Sequence, residues 1–148
     1  MDGMHKRYLR KLALATAARR VGADVSILIM EWLKISTSTE LVRVQTEDIV
    51  FVQADGNYSD VYLFNGKPHK MTFKLHYFDE VFQKLKNNIF VRVGKSLIVN
   101  KNYIYVINLT SQELMLSGNR LRADFKLRAS KEALKELKAL MEQEGDKA

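Results

Sequence analysis

The chain has 148 residues, with 24 Lys and Arg against 17 Asp and Glu, no Cys and one Pro. That length fits one domain with an added tail and leaves no room for a full-size sensor domain beside a second folded unit. The 47% apolar content suffices for a core, and the absence of Cys excludes disulfides, thiolate zinc sites and Cys nucleophiles.

A Cys-free chain fits a reducing cytoplasm, the location expected here. No apolar run reaches the roughly 18 residues of a spanning helix, so no membrane span is expected. The net charge of +7 points to an anionic partner. That charge is uneven: residues 1–34 carry seven basic and three acidic residues, a net of +4, and residues 35–148 carry 17 and 14, a net of +3.

Residues 4–20 are rich in Ala, Leu, Lys and Arg and predict a helix that stops near Gly22. Its basic cluster, Lys6, Arg7, Arg10 and Lys11, sits at the end where the helix dipole favours acids. Residues 25–33 are apolar without a period and fit helix or strand. From Ile35 the pattern is strand-like: residues 41–44 and 49–52 are rich in β-branched and aromatic side chains. Asp55-Gly56-Asn57 is a turn, followed by a strand over 58–64. Asn65-Gly66 predicts a type I′ hairpin, with positive φ at both residues, returning along 69–73.

Residues 75–85 switch to helical period, with Leu75, Phe78, Phe82 and Leu85 on one stripe. Strands follow at 90–93, 97–99 and 103–109, with Gly94-Lys95-Ser96 as a tight bend. A last hairpin pairs 113–116 with 120–126 around Ser117-Gly118-Asn119. In its second strand Leu121, Ala123 and Phe125 face one way, and Arg120, Arg122, Asp124 and Lys126 the other. Ser130 is an N-cap, and Ala133, Leu134, Leu137, Leu140 and Met141 stripe a closing helix. Short strands with one internal helix and a C-terminal helix predict a mainly β, antiparallel fold. The expected division is a basic N-terminal helix or tail over 1–33, a β domain over 34–128, and a C-terminal helix with a frayed end over 129–148.

Enzyme chemistry finds little footing. His5, His69 and His76 have no metal-ligand spacing, and each has a plain structural reading. Gly94-Lys95-Ser96 echoes the end of a P-loop, but the motif needs a Gly where this chain has Ile89, and no helix follows. Asp55 and Asp60 flank a turn. No catalytic residue, metal ligand or cofactor is expected.

Three segments carry a resemblance. DIVFVQADGNY (48–58) is similar to the opening strand and Gly-Asn-Tyr turn of the LytTR family of bacterial DNA-binding domains. FKLHYFDEVF (73–82) occupies the place of that family's helix. FVRVGKSLIVN (90–100) resembles its signature F-x-R-x-H-R-S-x-x-V-N, matching at Phe90, Arg92, Ser96, Val99 and Asn100. Gly94 replaces the usual His and Lys95 the usual Arg, which keeps the charge but loses the planar fork that reads guanine best.

The resemblance implies an elongated antiparallel fold of several small sheets that places loop residues into successive major grooves at promoter direct repeats. It also implies a transcription regulator of the two-component type, here without its own receiver. It places DNA contacts at Tyr58 and Ser59, at Arg92, Lys95 and Ser96, and near the last strand at Lys126, with Arg122 and Arg128 as rivals.

The residues allow plainer readings beside this. Arg92 fits a buried structural cation as well as a contact, and Asn100 fits a turn cap better than a contact. Tyr58 and Tyr62 share a face and fit core or rim packing. The basic face of 120–126 fits an ordinary sheet exterior. The expected partner is double-stranded DNA, with a second copy side by side on repeats. The rival is a β module that binds protein or an anionic surface through the basic N-terminal helix. Translation from Met30 would remove most of that tail.

Overall fold

The computed structural model describes residues 31–144. Among these, ten strands form three antiparallel sheets, with two helices. The described residues divide into two compact units, with the boundary between Glu47 and Asp48. The helix expected over residues 4–20 lies outside the described residues.

In the first unit, β1 (Trp32–Ser36) pairs with β2 (Leu41–Gln45). The apolar stretch that fitted either state therefore ends as strand. Thr37 closes the hairpin: its hydroxyl oxygen accepts from the amides of Thr39 and Glu40. The Arg43 guanidinium lies 4.6 Å from the centre of the Trp32 ring.

The second unit holds a five-stranded sheet in the order β5-β4-β3-β7-β6. Its strands are β3 (Ile49–Asp55), β4 (Tyr58–Leu63), β5 (Pro68–Met71), β6 (Phe90–Val93) and β7 (Leu97–Asn100). A bulge in β3 between Ile49 and Phe51 makes Val50 the extra residue. Helix α1 (Leu75–Gln83) buries Leu75, Phe78 and Phe82. A three-stranded sheet follows from β8 (Ile104–Asn108), β9 (Glu113–Leu116) and β10 (Phe125–Arg128). Helix α2 (Lys131–Gln143) closes the unit, capped by Ser130, whose hydroxyl accepts from the Ala133 amide at 3.2 Å.

The five-stranded sheet is covered on both faces, which explains the unbroken burial of Ile49 to Val52. One face turns Phe51, Val93, Leu97 and Val99 toward Leu114 and Leu116 of the smaller sheet and Leu134 and Leu137 of α2. On the other, α1 lies against β3 and β7. Phe73, Tyr77, Phe78, Phe82 and Phe90 form a chain of ring contacts there, ending in the Phe82–Phe90 stack at 3.9 Å.

Three expectations are corrected. Asn65-Gly66 does turn the chain, but only Gly66 has positive φ (84°), so the turn is not type I′. A longer loop forms instead, in which the Asn65 side-chain oxygen accepts from the Lys67 amide. The last hairpin does not turn at 117–119. Residues 117–124 are a connection, and β10 starts at Phe125, paired with Leu116. The alternation of Leu121, Ala123 and Phe125 was misleading, because Ala123 is exposed. Phe125 sets the register by packing edge-on against Phe51 at 5.1 Å. Leu140 also falls outside the buried stripe of α2, at 37% exposure.

Candidate nucleic-acid interface

Strand register gathers the two sequence turns at one end of the larger sheet. Gln53 of β3 opposes Leu97 of β7, and one step on the Ala54 amide donates to the Ser96 carbonyl at 2.8 Å. The β3–β4 turn (55–57) and the β6–β7 bend (94–96) therefore emerge side by side. Gly56 and Gly94 take φ of 60° and 65°, a left-handed conformation that side chains disfavour.

The bend is flanked on two sides. A Cβ on Gly94 would lie 3.4 Å from the Ala133 Cβ, so the bend passes close to the first turn of α2. From the other side, Arg92 Nε donates to the Gly94 carbonyl at 3.1 Å and Nη2 donates to the Lys95 carbonyl at 2.9 Å. Arg92 Nη1 donates to Asp79 of α1 at 3.3 Å. Lys95 and Ser96 are exposed in this bend, and Lys95 forms no ion pair among the described residues.

On the neighbouring turn, Tyr58 is exposed, while Ser59 is fully buried. The Ser59 hydroxyl donates to the Phe73 carbonyl at 2.7 Å, so this residue joins β4 to the chain leading into α1 and offers nothing at the surface. Lys70 of β5 binds Asp55 at 2.6 Å and Asp60 at 3.1 Å. The hydrogen bond to Asp55, then that to Asp60, holds its ammonium above the usual lysine value. The raised value means the pairing is complete below the ordinary lysine range and is lost only as pH rises past it.

Lys126 and Arg128 point outward from β10, with Phe125 and Leu127 inward. The strand runs through Ala129 into the Ser130 cap, and both residues line a cleft with Gly94, Lys95 and Ser96. Glu132 and Glu136 of α2 line the same cleft, while Lys126 and Arg128 do not. Arg122 is not brought to the bend. Its loop is anchored by Arg120, which pairs with Asp48 at the start of β3 and lies 5.3 Å from the Phe64 ring centre. Asp48 precedes β3, so this anchor is at the opposite end of the sheet from Lys95.

Lys70 and Asp79 are parts of the site that the sequence did not single out. Lys70 lies opposite Asp60 only because the longer loop shifts the register by one residue from that of a two-residue Asn65-Gly66 turn. Asp79 carried no signal either, since its partner lies on a strand beyond the helix.

The profile of the LytTr DNA-binding domain matches residues 39–142, from just before β2 through nearly all of α2. The chain belongs to the LytTR family. The fold is also that of the LytTr DNA-binding domain of a methyl-accepting/DNA response regulator from Bacillus cereus. That likeness has a TM-score of 0.53 at 19% identity and covers 74% of this chain and 95% of the other. No curated protein is significantly similar to the chain.

Within the LytTR signature most matched positions are structural. Phe90 stacks on Phe82, Val99 is fully buried, and Asn100 is buried with its side chain bonded to Ile49 and Asn102. Only Lys95 and Ser96 of the LytTR bend present side chains outward without such a structural task. No described helix is long and apolar enough to cross a membrane. No group of His, Asp or Glu that could hold a metal occurs among the described residues.

Proposed function

We propose that this LytTR protein is a sequence-specific, promoter-binding transcription regulator, and that the sheet end bearing Lys95 is its reading surface. The observation that carries the reading is the Lys95 bend: an exposed cation without an ion pair among the described residues, on backbone held by Arg92, at the same sheet end as the exposed Tyr58. Lys126 and Arg128 contact phosphates and set the register, while Lys95, with Ser96 and Tyr58 beside it, reaches base edges in the major groove. Direct repeats would seat two copies side by side, each reading one repeat.

Selection of bound sequences from random duplexes tests this, with enrichment of a repeated motif expected and no enrichment counting against it. On the selected site, Lys95→Ala should cost about 1–3 kcal/mol, with a smaller loss on random DNA. An equal loss on both would make Lys95 a phosphate contact. Affinity should also fall steeply and log-linearly with salt, since neutralising phosphates releases counterions. A titration insensitive to salt would remove the phosphate contacts from the proposal.

The strongest rival places binding in the basic segment before β1. Deleting residues 1–29 separates the two: retained affinity for the selected duplex supports the sheet-end reading, and complete loss supports the tail.

A further inference from the structure

We propose that Arg92 is a positioning residue for Lys95, and that Asp79 in turn orients Arg92. The inference rests on the reading of Lys95 as a DNA contact. The sequence left Arg92 open between a contact and a structural cation, and its bonding pattern decides the matter.

Each residue has only two soft backbone dihedrals. At Lys95 they are set by the peptide plane before it and the plane after it. The Gly94 carbonyl belongs to the first plane and the Lys95 carbonyl to the second. Arg92 Nε holds the first at 3.1 Å and Nη2 holds the second at 2.9 Å. A single rigid fork thereby fixes both planes, and with them the direction in which the Lys95 Cα–Cβ bond leaves the sheet. A lysine at position 92 has a point charge rather than a planar fork and cannot hold both carbonyls in this way.

The third nitrogen, Nη1, donates to Asp79 Oδ2 at 3.3 Å. This carboxylate keeps the fork from rotating about its stem and answers its charge. The pair is partly exposed, 33% at Arg92 and 29% at Asp79, so its contribution is orientation rather than much stability. Three of the five Arg92 N–H donors are engaged, and the Nε/Nη2 edge, one of the paired edges able to grip guanine, is occupied by the two carbonyls. Arg92 serves Lys95 from behind, and Gly94 lies close to Ala133 of α2.

The test is a double-mutant cycle on the full chain, using the selected duplex and a random duplex of equal length. Lys95→Ala should weaken specific binding about 5- to 150-fold. Arg92→Ala should weaken it comparably in the parent protein but by less than about twofold in the Lys95→Ala background, since coupled residues fail to add. Arg92→Lys should not restore affinity. Asp79→Asn is the gentler variant and should show a smaller loss with the same non-additivity. Amide relaxation without DNA supplies the independent readout: fast motion at Lys95 and Ser96 should rise in Arg92→Ala while thermal stability changes little.

Equal losses from Arg92→Ala in both backgrounds and on both duplexes, with a shallower salt dependence, would make Arg92 a phosphate contact and overturn the proposal. Unchanged relaxation at Lys95 and Ser96 would overturn it as well. Unchanged affinity in Lys95→Ala, by contrast, would sink the DNA reading of that residue, and the relaxation measurement would still decide whether Arg92 orders the bend.

Discussion

Phe51→Ala should lower folding stability by about 3–5 kcal/mol, measured by denaturant titration. Phe51 is 2% exposed and pairs with Val99 on one side and Tyr62 on the other. Its ring stacks on Tyr62 at 4.2 Å and meets Phe125 edge-on at 5.1 Å. Truncation removes all three contacts and opens a cavity between the two sheets, where strand pairing hinders collapse. A small domain has about 5–15 kcal/mol in total, so the variant should also lose DNA binding through its unfolded fraction. Phe51→Leu should recover most of the loss. A loss below about 1 kcal/mol for the alanine variant would mean that the smaller sheet does not depend on this ring.

Asn100→Ala should be nearly as damaging, although the residue is polar. Asn100 is fully buried, its Nδ2 donates to the Ile49 carbonyl at 3.0 Å, and its Oδ1 accepts from the Asn102 amide at 3.0 Å. The β3–β7 backbone pairing begins at Phe51 and Val99, so the Asn100 side chain extends it by one bond to Ile49. Alanine strands a buried carbonyl, at about 1–3 kcal/mol, and removes the cap of the turn at 101–103, at about 1 kcal/mol. Asn100→Asp should be no better, because a carboxylate would face the Ile49 carbonyl without a donor. Measured stability within about 0.5 kcal/mol of the parent would show that water replaces both bonds.

Most elements of this fold could be read from local pattern. The period change at Leu75, the Ser130 cap and the turns at Gly56 and Gly94 each state their structure within a few residues. The errors lie where distant contacts decide. Phe125 chooses β10 by reaching Phe51, and no local alternation records that choice. Burial of Ser59 depends on a carbonyl on the chain entering α1, and the orientation of Arg92 depends on a helix earlier in the chain. The bend carrying Lys95 was legible, because a Gly-Lys-Ser bend between apolar strands has few alternatives. The company it keeps was not, since the register of β3 on β7 sets the neighbours.

The pairing of Lys70 with both Asp55 and Asp60 bears on how a duplex would approach. One ammonium against two carboxylates leaves the β3–β4 tip with a residual negative charge, while the adjacent bend carries the positive charge of Lys95. The two tips form a small dipole, with poles on neighbouring hairpins. Such a dipole exerts a torque rather than a uniform pull, and at physiological salt it acts only within roughly 8 Å. A duplex docking at this end would therefore be favoured in one orientation over its reverse.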